Sequence, residues 1–554
     1  MNNRILTLLS HSRIKQSYES GFWRDDTIFS LVRAHAAAAP DRIAVRDRRG
    51  ALSYAELLDR AEAVAEDLAE HGLRASDRVA VWLPSRIETA IAIVACSRAG
   101  FVCCPSFHRD HTSGDVLALL KRMRASAFIG EHGYGADADR HDIFEALVEV
   151  EGLKRIQRLD AVAAGSKIAL PERGARATVE PNSDPNIVVY LAFTSGTTGQ
   201  PKGVMHSDNT LLANARAMIM DWRFDASSVF YTMSPLSHNL GFGTLVMALA
   251  TGGEIVVHDL PRGASTLDRL VEVGATFIAG VPTHAMDLLN EIKARNVSPP
   301  TSVKGFRISG ASAPKELVAE LLRLGITPQS GYGMTEAGSH HYTRITDGAD
   351  RIVHSSGRSC DGYEVKIWSR DNPDVELTAG EVGQIGGRGA SLMLGYYDDQ
   401  AANDESYNAS GWFMTGDLGR LDEDGYIQIT GRKKDLIIRG GHNIYPARIE
   451  NLAMQHPAVA RAAVLPVPDH RLGERVCLAA AARPGHRLDV QDILSHLDAL
   501  GLSRYDMPEY FLELTEIPLT ASGKIFKLDL ISQLARGEIT PAAVRWAPPK
   551  GDAT

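Results

Sequence analysis

Among 554 residues there are five cysteines, Cys96, Cys103, Cys104, Cys360 and Cys477, and no two of them make a C-x-x-C pair. An odd number of thiols without a framework excludes a disulfide scaffold and suits a reducing compartment, so a cytoplasmic location is expected. Long hydrophobic runs are also missing. The most apolar one, residues 90–96, falls far short of the roughly 20 needed to span a bilayer and is followed by Arg98. The opening M-N-N-R-I-L-T-L-L-S-H-S-R has a short apolar stretch and no small-residue cleavage site behind it, so neither a leader nor a membrane span is expected. Positive charge is in deficit, with 59 Lys and Arg against 68 Asp and Glu and a net charge of −9, which argues against a nucleic-acid partner. The signatures G-x-S-x-G, H-E-x-x-H and G-x-G-x-x-G are absent, and with them hydrolase, zinc-peptidase and dinucleotide readings. His340 and His341 are adjacent and would point apart in a strand, so they are not expected to form a metal pair.

What is present is ordinary globular composition, 44% hydrophobic and 23% charged, on a chain too long for one core. Strand and helix patterns alternate. Helical spacing over residues 53–71 precedes a buried strand at 77–83, a helix at 88–99 and a strand at 101–105. Further on come strand 229–233, helix 240–250, strand 255–258, strand 276–281, a helix from 283, strand 306–309 and helix 314–324. Such alternation predicts an α/β fold with parallel sheets covered on both faces, whose ligands collect at the strands' carboxyl ends. From about residue 380 short strands and Gly turns predict a small β subdomain.

The most distinctive stretch is Thr194 to Gly203, T-S-G-T-T-G-Q-P-K-G, behind the continuous apolar run 187–193. Gly196, Gly199 and Gly203 let backbone N–H groups turn toward a ligand, Thr194, Ser195, Thr197 and Thr198 add hydroxyl donors, and Lys202 adds a mobile charge. Ser207 is placed to cap a helix through Leu211, Leu212, Ala215 and Ile219, whose partly positive start would lie nearby. Pro201 before Lys202 separates this loop from the Walker pattern. The ten residues resemble the phosphate loop of the adenylate-forming enzymes, the superfamily of acyl- and aryl-CoA synthetases, adenylation domains and luciferases.

Four later segments continue the resemblance in order. Gln329 to Gly338, Q-S-G-Y-G-M-T-E-A-G, resembles the adenine and magnesium segment. By that resemblance Tyr332 lies on adenine, Thr335 bonds the α-phosphate and Glu336 ligates Mg²⁺, with Gly331, Gly333 and Met334 beside the nucleotide. Gly310, Ala311 and Ser312 are placed there as well. In W-F-M-T-G-D-L-G, residues 412–419, Asp417 would hold the ribose hydroxyls, with Ile429 nearby. Residues 431–450 resemble the start of the C-terminal domain: Arg432 contacts ribose or phosphate, Lys434 is the hinge, and Gly440 and Gly441 line the path of the thiol. Near the end, P-L-T-A-S-G-K at 518–524 makes Lys524 the catalytic lysine.

The resemblance implies a large N-terminal domain, 1–433, of two parallel-type sheets with helices and a β subdomain at about 350–433. A small mobile α+β C-terminal domain, 434–554, follows and rotates between two half-reactions. A carboxylic acid and ATP·Mg give an acyl-adenylate, and CoA then takes the acyl group. Two alternatives stay open: an aryl-acid ligase that loads a carrier-protein thiol, and a nucleotide-binding protein without catalysis. The acid pocket is expected behind the gating His238, among Asn239 to Gly243, 282–285, 310–312 and 333–339. Gly241, Gly243, Ala311 and Gly338 would leave room for a ring or medium chain, with no Lys or Arg for a second carboxylate. The sequence looks like bacterial ligases for alicyclic or aromatic monocarboxylic acids, cyclohexanecarboxylate among them. The P-x-x-x-x-G-K spacing also matches what bacterial lysine acetyltransferases favour in this family, so a lysine acetyltransferase and deacetylase acting on Lys524 are expected partners.

Overall fold

Residues 187–193 lack any polar interruption, and the strand they predict forms as Val188–Thr194, buried up to its last residue. The computed structural model describes residues 5–163, 166–171, 180–194, 201–261, 263–311, 313–440, 442–520 and 524–546. Ser195 to Gly199, Ser312 and Gly441 lie outside the described residues. The chain divides into two units: one comprises 1–310, 320–365 and 387–413, and the other 311–319, 366–386 and 414–554.

The first unit contains two sheets. In the six-stranded one, Arg155–Leu159, Ala125–Glu131, Arg78–Trp82, Val102–Cys104 and Val188–Thr194 run parallel, and Lys202–Ser207 closes the edge antiparallel to Val188–Thr194. In the nine-stranded one, six parallel strands form the centre: Thr327–Met334, Gly305–Ile308, Phe277–Gly280, Val229–Thr232, Glu254–Val257 and Ile43–Asp47. Antiparallel strands flank both ends. Helices such as Ile87–Ala99, buried throughout, and Asn239–Thr251 supply the cover that parallel strands require.

Lys202 corrects the loop expectation. It begins a strand, and Ser207 at that strand's far end does cap the helix Asp208–Trp222, accepting from the Thr210 N–H. Six residues at about 3.3 Å each put the helix start about 20 Å along the strand from Lys202. The helix N-terminus therefore adds no charge at Lys202. The five cysteines are buried and free.

The first unit also encloses an ionic cluster at the start of the helix Ile87–Ala99. The Glu88 carboxylate, fully buried, accepts from both Arg49 Nη atoms at 2.8 and 2.6 Å and from Arg86 Nε and Nη2 at 2.8 Å. Arg86 also reaches Glu131 at 2.6 Å.

In the second unit, Phe413–Leu421 and Ile427–Arg432 pair antiparallel and belong to a four-stranded sheet. A further six-stranded sheet is centred on Gly473–Ala482, flanked by Val459–Asp469 and Tyr510–Leu514. Alternate small apolar residues, Ala462, Val464, Leu478 and Ala480 among them, face a core closed by Ile493 and Leu497 of the helix Val490–Ala499. Among the described residues no helix is long and apolar enough to cross a membrane.

Candidate active site

In the first unit the strand Lys202–Ser207 is lined by a returning segment: Tyr397 N donates to Gly203 O, Met205 N to Gly395 O and Leu394 N to Met205 O. This register places the Tyr396 ring under the Lys202 ammonium, 4.7 Å from the ring centroid. The Tyr396 hydroxyl donates to Glu336 Oε1 at 2.9 Å. Burial and the neighbouring Glu336 charge hold that phenol well above its usual range, so it stays a donor. Lys202, Tyr396 and Glu336 therefore form one array in which a cation and a carboxylate flank a neutral phenol. Sequence reasoning missed Tyr396; its trace is G-Y-Y at 395–397, about 60 residues beyond Glu336.

Tyr396→Phe keeps the ring beneath Lys202 and removes the hydrogen bond that orients Glu336. We expect the KM for ATP to rise about 10-fold, the worth of one charge-assisted hydrogen bond, in a protein of unchanged melting temperature. Steady-state kinetics with ATP varied checks this.

His206 is the second residue that the sequence reading missed. Its Nε2 donates to the Thr335 carbonyl at 2.7 Å and its Nδ1 meets the Thr210 hydroxyl at 3.0 Å. Burial pushes it down to about 4, so the neutral ring holds the backbone at Thr335. Tyr332 is buried and meets His340 edge-on at 5.0 Å. His340 and His341 do not point apart as expected: their Nδ1 atoms meet at 2.9 Å, and burial drives both rings toward the neutral form. One neutral ring then donates to the other. Met334, Gly333 and Gly331 lie on the strand Thr327–Met334, and Gly310 follows Gly305–Ile308 at φ +90. Ala311 is exposed.

His238 caps the helix Asn239–Thr251, with Nδ1 accepting from Leu240 N at 3.3 Å. Asn239 Nδ2 donates to Met334 O at 3.3 Å. Behind Asn239 lies a narrow cavity of about 20 Å³, room for little more than one water in this conformation. Asn239, Gly243, Gly338 and Ser339 line it. Residues 282–285, 310 and 311 do not. The other wall comes from Leu211, Asn214, Ala215 and Met218 of the helix Asp208–Trp222. Gly243 leaves open space where a Cβ would stand, whereas one on Gly241 would lie 2.2 Å from the Pro235 carbonyl oxygen, so Gly241 serves close backbone packing instead. The expected absence of a cation is also overturned, because Arg307, 2% exposed, lines this cavity.

In the second unit three separate motifs converge. Asp417 is the register partner of Arg432, whose Nε donates to Asp417 Oδ1 at 3.1 Å. The Asp417 amide is held by Thr415 Oγ1 at 3.1 Å. Half-buried Lys524 is within electrostatic range of both. Its ammonium is pushed down to about 8 by desolvation first and the Arg432 charge second, with Asp417 opposing. Lys524 N donates to Thr520 Oγ1 at 3.2 Å, and Thr520 N to Lys524 O at 2.7 Å. Ile429 sits on the same strand as Arg432. Lys434 is exposed in a short turn, Lys433–Asp435, and Gly440 adopts φ +57 with its N–H on Leu472 O.

Comparison with known proteins gives the family. The family model described as AMP-binding enzyme matches residues 32–397, and that of the AMP-binding enzyme C-terminal domain matches 448–524. A medium-chain fatty-acid–CoA ligase of Escherichia coli K12 is 30% identical over 97% of this chain and 95% of its own. A salicylyl-CoA synthase / salicylate adenylyltransferase of a Streptomyces species is 31% identical over 92% and 94%. The structure of o-succinylbenzoate CoA synthetase from Bacillus subtilis with its acyl-adenylate intermediate superimposes with a TM-score of 0.76 at 26% identity, covering 90% of this chain and 97% of that one. The chain belongs to the AMP-binding enzyme family and is an AMP-forming acid–thiol ligase.

Proposed function

We propose that the protein converts a carboxylic acid with a compact ring or medium chain, ATP and CoA into acyl-CoA, AMP and pyrophosphate through an acyl-adenylate. The observation that carries this is the meeting of Asp417 and Arg432, partners across one hairpin, with Lys524 from about 90 residues further on, groups with the chemistry that ribose and a reacting phosphate need. A carboxylate is already a nucleophile at neutral pH, so the first step needs stabilised negative charge rather than a base. Lys524 supplies that charge, Asp417 accepts the ribose hydroxyls, and Lys202 holds phosphate oxygens.

Among the described residues no cluster of three or more His, Cys, Asp or Glu could hold a metal by itself. Mg²⁺ keeps several waters and binds through one or two carboxylates plus substrate phosphates. Glu336, fixed by Tyr396, is the carboxylate we assign to it. Bound with ATP, the ion neutralises phosphate charge.

Acid-dependent ATP–pyrophosphate exchange, followed by thioester formation with CoA, tests the reading. Exchange with no CoA product, and transfer only to a pantetheine-bearing carrier protein, would replace it with the aryl-acid reading. The Asn239 amide at the cavity, able to meet a ring hydroxyl, favours that second reading. The apolar walls at Leu211, Ala215, Met218 and Val246 suit an alicyclic body such as the cyclohexane ring.

Lys434 is our candidate pivot for the change between half-reactions. Lys434→Pro fixes φ there, and we expect thioester formation to slow about 10-fold or more with exchange retained. Single-turnover measurement of each half-reaction decides it, and unimpaired thioester formation moves the pivot elsewhere. Acetylation of Lys524 remains a proposal; full exchange activity with that lysine stoichiometrically acetylated, as mapped by mass spectrometry, would refute it.

A further inference from the structure

Arg307 stands in the centre of the parallel strands, on Gly305–Ile308, with Ala279 and Gln329 as register partners on either side. Its nearest acceptor is the Met218 Sδ, 3.2 Å from Nη1, and its buried Nε has no hydrogen-bond partner. No carboxylate among the described residues pairs with it. Arg49 and Arg86 are similarly enclosed, yet both hold carboxylates at 2.6 to 2.8 Å. Desolvation pushes the Arg307 guanidinium down to about 10, opposed by Tyr342 and by no acid.

The neighbouring strand adds an independent observation. Gln329 is 1% exposed, and neither its Nε2 nor its Oε1 has a partner. Directly paired residues of parallel strands share a face, so Arg307 and Gln329 stand side by side, with the Arg307 Nε and both ends of the Gln329 amide unpartnered. Buried polar groups are nearly always paired, and a buried cation without a counter-charge is the costliest exception. Arg307 lines the cavity that Asn214, Asn239, Gly243 and Gly338 also line, so a bound molecule can reach it.

We propose that the acid this enzyme activates carries a second anionic group, a carboxylate or sulfonate besides the reacting carboxylate, and that Arg307 receives it with Gln329 alongside. The proposal rests on the ligase reading and adds the substrate class to it. The cavity's apolar walls take the body of the acid, and the guanidinium, a rigid fork of donors, meets the planar or trigonal anion. A neutral acid would leave the charge buried and unmatched, which is how a site rejects an analogue that lacks the matching group.

The test uses exchange kinetics on matched pairs: cyclohexanecarboxylate against trans-cyclohexane-1,4-dicarboxylate, hexanoate against adipate, and benzoate against 3-sulfobenzoate and 3-hydroxybenzoate. With wild-type protein at least one diacid or sulfo-acid is expected to exceed its neutral match by about 100-fold in kcat/KM, the scale of a buried charge pair. Arg307→Met should collapse that ratio by a similar factor through the KM of the acidic partner, and Arg307→Lys should restore part of it. Preference for neutral or hydroxylated acids by the wild type, or a ratio that Arg307→Met does not move, overturns the proposal. Exchange with no acid of either kind would instead sink the ligase reading on which it stands.

Discussion

Lys524→Ala is expected to lower acid-dependent ATP–pyrophosphate exchange by about 10²- to 10³-fold, the cost of removing one preorganised group from developing charge. Thioester formation from supplied acyl-adenylate should stay within a few-fold of wild type, since there the thiol attacks the acyl carbon and no bond to phosphorus is made or broken. The two half-reactions are measured separately, and equal loss in both would remove Lys524 from its assigned role. Its environment adds a pH signature. Desolvation and Arg432 lower the ammonium from 10.5 to about 8, so the free enzyme loses the needed proton as pH rises through 8. The profile of kcat/KM for ATP should therefore fall above about pH 8, and Lys524→Arg should abolish that limb even where it lowers the plateau. The stability effect has its own sign. A lysine whose folded value lies below its unfolded one penalises the folded state at low pH, and that penalty is released between pH 8 and 10.5.

The sequence was most legible where one local stretch held the whole signal. The buried strand before the loop, the Ser207 cap and the helix 240–250 all formed because apolar continuity, a hydroxyl before a helical pattern and a Gly-Gly stop act within a few residues. Asp417, Arg432 and Lys524 could be named from motifs, but their meeting depends on a hairpin register and a turn about 90 residues apart in the chain. Lys202 was misplaced because its glycines and proline signalled a loop, while pairing with Val188–Thr194 makes it a strand. Arg307 was overlooked inside F-R-I, where a single charge in an apolar run reads as an edge position; the cavity wall from the helix Asp208–Trp222 is what gives it a site to face. Tyr396 and His206 act through partners about 60 and 130 residues away, and no local pattern announces such pairs.

Glu88→Gln is expected to destabilise the first unit by about 3 to 5 kcal/mol, the cost of removing one member of a buried ion pair and leaving the rest in place. Both guanidinium groups, Arg49 and Arg86, face the same carboxylate, and the four contacts they make to it lie between 2.6 and 2.8 Å. The amide that replaces it has one acceptor oxygen and turns an NH₂ toward one of the arginines, so a repulsion replaces an attraction. Desolvation acts against the charge of Glu88, but the two arginines outweigh it and hold the carboxyl at about 2, below its ordinary 4.5. A depressed carboxyl stabilises the fold fully above 4.5 and loses that contribution as pH falls toward 2. Wild-type stability should therefore decline through that window more steeply than that of the Gln variant, and the gap between them should narrow as the pH approaches 2. Urea denaturation followed by a probe in the first unit, repeated between pH 7 and the lowest pH at which the unit stays folded, measures both the gap and its slope. A Glu88→Gln protein within 1 kcal/mol of wild type at pH 7 would show that the cluster is solvated in solution and carries little of the fold's stability.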